Sequence, residues 1–401
     1  MTASGAIDLA GPEFWITLAV AALLLLPLGS PLWRRTGLAL ANLGFIAVVG
    51  GVIGTTVALA LAALIWYAAR NISLNQVTAM RILPVLAIAI ALLFLFLFHK
   101  RRIDALPGFD TLGSNLVASA LVSIGYSYVV LRATELLKAA SDDRARGVSF
   151  LETVNYLLPF NMLAAGPIQS WDDFRGQPPA PPAPSFNGAL TGFERIAAGL
   201  FKKFVIAQGI ERLFLTGFTA GPQYSLFEMQ MYYLWVYLDF SAYTDIAVGA
   251  GILLGVATPE NFRNPLAARN IIVFWERWHI SLSAFARRNI FTPFHMAIGR
   301  MMPRVDPLVP GSITFLVTFL AIAVWHSVSM RFVLWGVFHA SALIACNLYG
   351  RLLLRFLGAT KTDAFLSHAI TRTVARVLTF EFVAWTLMFI VHPATSFLDS
   401  P

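Results

Sequence analysis

The sequence has 401 residues, of which 58% are hydrophobic and only 12% are charged. Soluble domains contain about 45–50% apolar and about 25% charged residues, so this composition excludes a soluble multi-domain protein and predicts an all-α membrane protein with several spans. The net charge is +8, but the basic residues follow apolar runs, as at 33–35 and 99–102, which is typical of cytoplasmic loops. We therefore expect membrane lipids, and no nucleic acid, around the chain.

Apolar runs suited to crossing a bilayer occur throughout the chain. A bilayer core of about 30 Å needs roughly 20 apolar residues in a helix. By that measure we predict spans near residues 13–30, 38–68, 81–99, 113–133, 149–167, 190–217, 226–256, 310–329, 331–357 and 374–392. The run 38–68 is too long for one upright helix, so we expect it to tilt strongly or to break near Gly50 and Gly51.

The first apolar run is flanked on only one side by basic residues, which orient a helix in the membrane. No basic region precedes it, and Arg34 and Arg35 follow it. This pattern predicts a membrane helix rather than a signal peptide, with its N-terminus outside the cytoplasm.

The sequence lacks the spacings of common metal and nucleotide sites. Cys346 is the only cysteine, which excludes an internal disulfide and a thiolate metal cluster, and its apolar surroundings predict a packing role. HxxxH and HExxH pairs, a GxxxxGK[ST] loop and a GxSxG elbow do not occur. We therefore expect no metal, no cofactor and no acyl-serine or acyl-cysteine intermediate.

Two carboxylates, Asp239 and Asp245, lie in the predicted span 226–256. An unpaired ionisable group at membrane depth costs at least about 2.5–3.5 kcal/mol on insertion scales. Each must face a cavity, pair with a base or lie near the interface. The sequence leaves open whether they bond neighbouring helices or line a reaction chamber. The glycines at 249, 251 and 255 are expected to allow close helix packing.

The stretch 261–294 crowds charged, aromatic and imidazole side chains into an otherwise apolar sequence. Helical spacing is expected to place Trp275, Trp278, His279 and Leu282 on one face. Glu276 would then reach the same flank and orient His279, as acids orient catalytic histidines. A basic edge is formed by Arg277, Arg287 and Arg288. The stretch predicts an interfacial or re-entrant helix, and the alternative is a headgroup anchor built from tryptophan and arginine.

A second histidine, His326, ends an apolar run between Trp325 and Ser327. A histidine inside the membrane is a functional hypothesis by default, and histidine is the usual general base for a hydroxyl near neutral pH. His339, four residues after Trp335, is expected to be a packing or polar-network residue.

Several motifs in order resemble one enzyme family. They read AAGPIQSWDDF, LDFSAYTDIAVGAGILLG, PENFRNPL, FWERWHISLSAF and AVWHS followed by WGVFHA, and they extend from about Asn155 to His339. The chain is similar to the membrane-bound O-acyltransferase family. It resembles the bacterial branch that includes the alginate O-acetylation membrane protein and the teichoic acid D-alanyl transferase.

This resemblance implies a ring-like fold of about ten to eleven helices, with re-entrant or interfacial helices around a central tunnel. It makes residues 1–401 a single polytopic membrane domain, with N-terminal helices in 1–150, the motif core in 151–345 and C-terminal helices in 346–401. The family's near-invariant histidine falls on His326 and its second histidine on His279, which are the implied catalytic residues. The implied substrate or tunnel residues are Trp325, Trp278, Trp275, Glu276, Arg277, Asp245, Asp239 and Asn261.

The resemblance also implies a reaction, a place and partners. The expected reaction moves an acyl group, most simply acetyl, from a thioester donor such as acetyl-CoA to a hydroxyl of a cell-surface or exported polysaccharide. The expected location is the bacterial inner membrane, with periplasmic acyltransferase or polysaccharide-synthesis proteins as partners. Three segments depart from the family pattern: Ser327 replaces a glycine, 287–289 lack an acid, and HMAIGRMMPR replaces a loop.

Three other functions remain open at this point. A lysolipid or small-lipid O-acyltransferase would share the chemistry but acylate lipid. A polytopic transporter would use the histidines as a gate or proton relay. A non-catalytic scaffold would support an outer acyltransferase, and its histidines would be dispensable.

Overall fold

The computed structural model describes residues 11–25, 30–74, 121–122, 124–177, 184–216 and 225–391. Over these residues the protein is built of helices and contains no strand. The α-helices are α1 Pro12–Leu25, α2 Pro31–Leu74, α3 Tyr126–Ser141, α4 Phe150–Leu157, α5 Trp171–Arg175, α6 Phe186–Phe201, α7 Gln208–Phe214, α8 Leu226–Leu254, α9 Ile271–Trp275, α10 Ile280–Ala286, α11 Thr292–Met301, α12 Leu308–His326, α13 Met330–Ser367 and α14 Ala369–Val391.

Shorter helical turns link some of these helices. Two 3₁₀ turns occupy Phe160–Met162 and Pro265–Ala267, and two π-helical turns occupy Lys202–Ala207 and Arg287–Phe291. Four of the described helices, α2, α12, α13 and α14, are long and apolar enough to cross a membrane. The prediction of an all-α membrane protein is confirmed.

Most predicted spans that fall within the described residues coincide with helices. The break predicted inside the span 38–68 is also present. Helices cover the predicted spans 13–30, 38–68, 190–217, 226–256, 310–329, 331–357 and 374–392 in whole or in large part. Helix α2 is interrupted at Gly51, whose φ of 60° is non-helical and favours glycine. The predicted span 81–99 lies outside the described residues.

The predicted span 149–167 is wrong. Ser149 begins α4 with a capping box to Glu152, and the helix ends at Leu157, just before Pro159. Proline cannot donate a backbone hydrogen bond and it restricts the residue before it, so a 3₁₀ turn and a loop follow instead of a full span. The predicted end of the span 113–133 is also wrong, because helix α3 begins at Tyr126 and continues to Ser141.

The chain divides into two compact units: Met1–Gly199 with Tyr243–Pro259, and Leu200–Ala242 with Glu260–Pro401. In the first unit, α2 packs against α1, α3 and α4. The side chain of Asn42 bonds Asn155 at 3.1 Å and accepts from the Phe160 backbone at 3.0 Å. These polar contacts attach α4 and the turn after it to the first third of α2.

A buried arginine organises that same loop. Arg132 has no exposed surface, and its guanidinium donates to the carbonyls of Leu157, Met162 and Pro167 at 3.0–3.3 Å. Backbone carbonyls left unpaired in a protein interior are costly. Arg132 therefore replaces the hydrogen bonds that a continuous helix would have supplied.

The second unit is built mainly on the packing of α12 against α13 and of α13 against α14. Gly336 allows the first contact, because a Cβ atom there would lie 2.8 Å from the Phe319 carbonyl oxygen. Arg351, further along α13, forms a bidentate salt bridge with Asp306, with N–O distances of 2.6 and 2.9 Å. Helices α12 and α13 therefore form an antiparallel hairpin with His326 close to its turn.

Candidate active site

His279 sits at a break between two short helices. Its φ of 42° and ψ of 52° lie in the left-handed region, and it caps the start of α10. The prediction of one continuous helical face through Trp275, Trp278 and His279 is therefore wrong. A residue other than glycine held in this region costs about 1–3 kcal/mol and persists where surrounding contacts fix it.

Asn261 supplies those contacts. Its backbone carbonyl accepts from the Ile280 amide at 3.0 Å, and its side-chain oxygen accepts from Ser281 Oγ at 2.6 Å and the Ser281 amide at 3.2 Å. Nearby, the Arg263 amide donates to the Arg277 carbonyl at 3.0 Å. The chain entering the site is thus bonded to both residues that follow His279, which fixes the backbone of the histidine.

The His279 ring is buried and electrically neutral near pH 7. It is 3% exposed and meets the Phe240 ring edge-on at 4.9 Å. Burial, together with the smaller effect of the nearby His326 charge, lowers the pKa of His279 to about 3. Among the described residues, none hydrogen-bonds the buried Nδ1 of His279 or Nδ2 of Asn261.

His326 differs from His279 because it is only half-buried at the end of α12. Its ring stacks on Phe332 at 5.6 Å with an interplanar angle of 20°. Trp325 lies 4.6 Å away and Trp335 5.9 Å away, both close to edge-on. The His326 ring is therefore held by three aromatic neighbours while part of its surface remains exposed.

His339 is a polar-network residue, as its sequence context suggested. It is 1% exposed, Trp275 Nε1 donates to its Nδ1 at 3.2 Å, and its Nε2 lies 3.1 Å from Thr386 Oγ1. Thr386 Oγ1 itself donates to the Val383 carbonyl at 3.0 Å, so the proton between the two side chains belongs to His339. Both ring nitrogens of His339 are engaged, which excludes it as the reacting base in this arrangement.

The two tryptophans of the predicted face have different neighbours. Trp275 packs against Phe319, Trp335 and His339, at ring distances of 5.0–5.9 Å. Trp278 packs instead against aromatic rings of α8 and of its own segment, namely Tyr233, Tyr237, Phe262 and Phe274. Each tryptophan supports one side of the His279 segment.

Glu276 does not perform the expected orienting role. Its side chain is exposed, and the His279 Nδ1 has no hydrogen bond among the described residues. Glu276 and Arg287 line a cavity of about 300 Å³ whose other walls are mainly apolar, including Trp275, Phe315 and Phe319. The break at His279 turns the two side chains away from the geometry that an unbroken helix would give. Arg277 is half-buried, and its backbone carbonyl bonds Arg263.

Asp239 and Asp245 are both paired with bases. Asp239 lies 2.6 Å from Lys203 Nζ in the second unit, and Asp245 lies 2.7 Å from an Arg195 guanidinium nitrogen in the first unit. Pairing with a base is one of the ways in which a carboxylate is accommodated in a membrane protein. Of the two roles that the sequence left open, the structure places both acids in contacts between helices. The pairing of Asp239 with Lys203 and of Asp245 with Arg195 was not predicted, because each pair joins residues far apart in sequence.

The described residues contain no group of histidine, cysteine or acidic side chains suited to holding a metal. Trp335 was also missed as a site residue, although it touches both His326 and His339. Its spacing of four residues before His339 was the available signal.

The sequence model of the membrane-bound O-acyltransferase family matches residues 69–384. The chain belongs to this family. The match covers more than half of the chain and confirms the resemblance drawn from the motifs. Family membership places the protein among the O-acyltransferases, and its fold is the all-α membrane fold of that family.

Three relatives illustrate the activities of proteins that are similar to this chain. The teichoic acid D-alanyltransferase of Bacillus subtilis is 27% identical over 269 residues, which cover 65% of this chain and 67% of that protein. The peptidoglycan O-acetyltransferase of Helicobacter pylori is 31% identical, over 59% of this chain and 43% of that protein. The probable alginate O-acetylase of Azotobacter vinelandii is 26% identical, over 57% and 45%. The chain thus spans less than half the length of the last two.

Proposed function

We propose that this protein transfers an acetyl group from a thioester donor, acetyl-CoA, to a hydroxyl of a cell-surface or exported polysaccharide at the bacterial inner membrane. The relatives support a polymer acceptor, since their names specify teichoic acid, peptidoglycan and alginate. Two of those three names also specify acetyl transfer. Periplasmic acyltransferases or polysaccharide-synthesis proteins would be the partners that complete acetylation.

One observation carries the proposed mechanism: an accessible histidine lies near a buried neutral one. The charge of His326 is close enough to lower the pKa of His279. As the acceptor oxygen attacks the thioester carbonyl, His326 takes its proton. The new ester C–O bond forms, the C–S bond breaks, and His326 returns the proton to the departing thiolate. General-base catalysis of this kind contributes typically about 10²–10⁴-fold.

His279 would act without changing its charge. Because burial keeps its imidazole neutral, it adds no second cation beside the His326 imidazolium that forms during attack. If its unpartnered Nδ1 carries the proton, it can donate a hydrogen bond to the developing oxyanion, and Asn261 Nδ2 can donate a second. Donors placed in advance at such an oxygen are among the largest contributions to catalysis.

Replacing His326 with alanine should therefore reduce acetyl transfer by about 10²–10⁴-fold, the contribution expected from a general base, and leave the protein folded. The measurement is transfer of radiolabelled acetyl from acetyl-CoA by purified protein in lipid nanodiscs, with mass spectrometry of surface glycans and lipids from cells. His368→Ala is the matched control, because His368 is exposed between α13 and α14. It should retain full activity.

The same experiment separates the rival functions. Acetylated lipid with unmodified glycan would favour a lipid acyltransferase. Product formation at the normal rate by His326→Ala would contradict the mechanism and favour a scaffold. Movement of a substrate across liposomes without acetyl-CoA would favour a transporter.

A further inference from the structure

The first unit contains a polar cavity that the acyl-transfer mechanism does not use. It has a volume of about 390 Å³ and lies among α1, α2, α4, α5 and the end of α8. Its charged walls are Arg34, Arg35, Arg175 and Glu152. Among the described lining residues, three guanidinium groups thus face one carboxylate, which gives this part of the lining a positive charge.

The Glu152 carboxylate is shared between a helix cap and two arginines. One Glu152 oxygen accepts from both the backbone amide and the hydroxyl of Ser149 at 2.9 Å, in the capping box that begins α4. The other oxygen lies 3.8 Å from Arg35 and 3.9 Å from Arg175. Those distances exceed a hydrogen bond. One carboxylate oxygen thus lies beside two guanidinium groups, and Arg175 also donates to the Arg146 carbonyl at 3.2 Å.

Arg34 adds a buried cation. It is 7% exposed, and its Nη1 donates to the Leu25 carbonyl at 3.0 Å. A carbonyl dipole offsets only part of the cost of burying a charge. An anion in the cavity would lie beside this buried cation as well as beside the two more exposed arginines.

The remaining walls indicate what kind of anion fits. Amide side chains form part of the lining, and two of them fasten the chain after α8: Gln169 donates to the Ala257 carbonyl at 2.9 Å and Asn161 to Thr258 Oγ1 at 3.1 Å. Apolar residues such as Leu38 and Met162 complete the lining. Guanidinium groups match the geometry of phosphate oxygens, and the volume lies within the range of small-ligand sites.

We propose that this cavity binds the phosphate group of a ligand that also carries an apolar part. Such a ligand has two sources, an anionic phospholipid headgroup or a soluble phosphorylated compound. The proposal concerns binding alone, so it stands or falls separately from the acyl-transfer mechanism.

The test uses Arg175→Gln in the full chain, held in phosphatidylcholine nanodiscs. Binding of inorganic pyrophosphate, the soluble probe, is titrated for this variant and for wild type. In a second measurement, nanodiscs contain phosphatidylcholine and phosphatidylglycerol, and native mass spectrometry measures how much phosphatidylglycerol the protein retains. We expect wild type to bind one of the two probes, and Arg175→Gln to weaken that binding at least tenfold. The probe that responds identifies the source.

The chain offers a closely matched control. Arg175 lies over Trp171 at 5.7 Å, and Arg70 lies over Trp66 at 5.6 Å in the same unit but outside the cavity lining. Arg70→Gln removes the same charge and the same stacking contact, and it should leave binding unchanged. If wild type binds neither probe, or if both variants weaken binding equally, the proposal is wrong.

A second substitution is expected to strengthen binding, which a misfolded protein would not do. Glu152→Gln removes the one carboxylate found among the described lining residues, while glutamine can still complete the capping box with Ser149. It should therefore strengthen binding of the responding probe by several-fold. Unchanged or weaker binding by folded Glu152→Gln would also overturn the proposal.

Discussion

At the scale of single residues, the site depends on side chains that lie outside the conspicuous motifs. Trp275 is held by His339, and His339 is held by Thr386 on the last described helix. The same Trp275 packs against Trp335, which touches His326. A polar chain of three residues therefore supports the aromatic wall beside the proposed base, without reaching the reacting atoms.

Thr386→Val tests this support with an almost unchanged side-chain volume. The substitution leaves the Nε2–H of His339 buried without an acceptor, which should lower the free energy of unfolding by about 1–3 kcal/mol. Reversible denaturation in mixed detergent micelles would measure it. Thr373→Val on the same helix is the control, since Thr373 is exposed and bonds only its own helix at 3.0 Å. Equal losses for both variants would show that the network contributes nothing.

At the scale of elements, close helix contact in the first unit depends on glycine. Gly249 of α8 faces Gly192 of α6, and a Cβ atom on Gly249 would lie 2.6 Å from the Gly192 carbonyl oxygen and 2.8 Å from Ile196 Cγ1. Small residues at such crossings let helix backbones approach in membranes. The packing role predicted for the glycine at 249 is confirmed by this geometry.

Gly249→Ala should therefore destabilise the protein although alanine is the better helix former. Overpacking of this kind costs typically about 1–3 kcal/mol. Gly44→Ala in α2 is the matched control, because no atom lies within 4 Å of the added Cβ, and it should stabilise by roughly 0.5–1 kcal/mol. Unfolding in detergent would compare the two. A stabilised Gly249→Ala would show that close contact between α6 and α8 is not the reason for glycine at this position.

At the scale of the whole molecule, hydropathy predicted which segments are helical better than it predicted where they stop. It located α12, α13, α14 and the break at Gly51, because apolar length and glycine are visible in the sequence. It failed at 149–167, where capping at Ser149 and Pro159 override an apolar average. Caps and prolines act through single hydrogen bonds that a windowed average does not register.

The site was predictable in its histidines and less so in its geometry. His279 and His326 were singled out by their surroundings and by the family resemblance, and their catalytic roles stay predictions. The left-handed backbone of His279 and the partners of Asp239 and Asp245 were not foreseen. These depend on contacts such as Asn261–Ser281 and Lys203–Asp239, which join residues far apart in sequence. Local periodicity carries no information about them.

The hairpin of α12 and α13 also makes a prediction about the membrane. Helix α12 has 19 residues, which at 1.5 Å per residue span about 29 Å, close to the thickness of a bilayer core. Asp306 and Arg351 pair at one end of the hairpin, and His326 lies at the other. The two ends should therefore face opposite sides of the membrane.

Single cysteines can test this, because Cys346 is the only native cysteine. In a Cys346→Ser background, Val305→Cys and Met330→Cys place exposed thiols at the two ends of α12, where the native side chains are 39% and 50% exposed. A membrane-impermeant maleimide added to intact cells should label one of them, and the other only after permeabilisation. Cys346→Ser alone should remain unlabelled. Labelling of both from the same side would mean that α12 does not cross the membrane. His326 and the Asp306–Arg351 pair would then lie on the same side of the membrane.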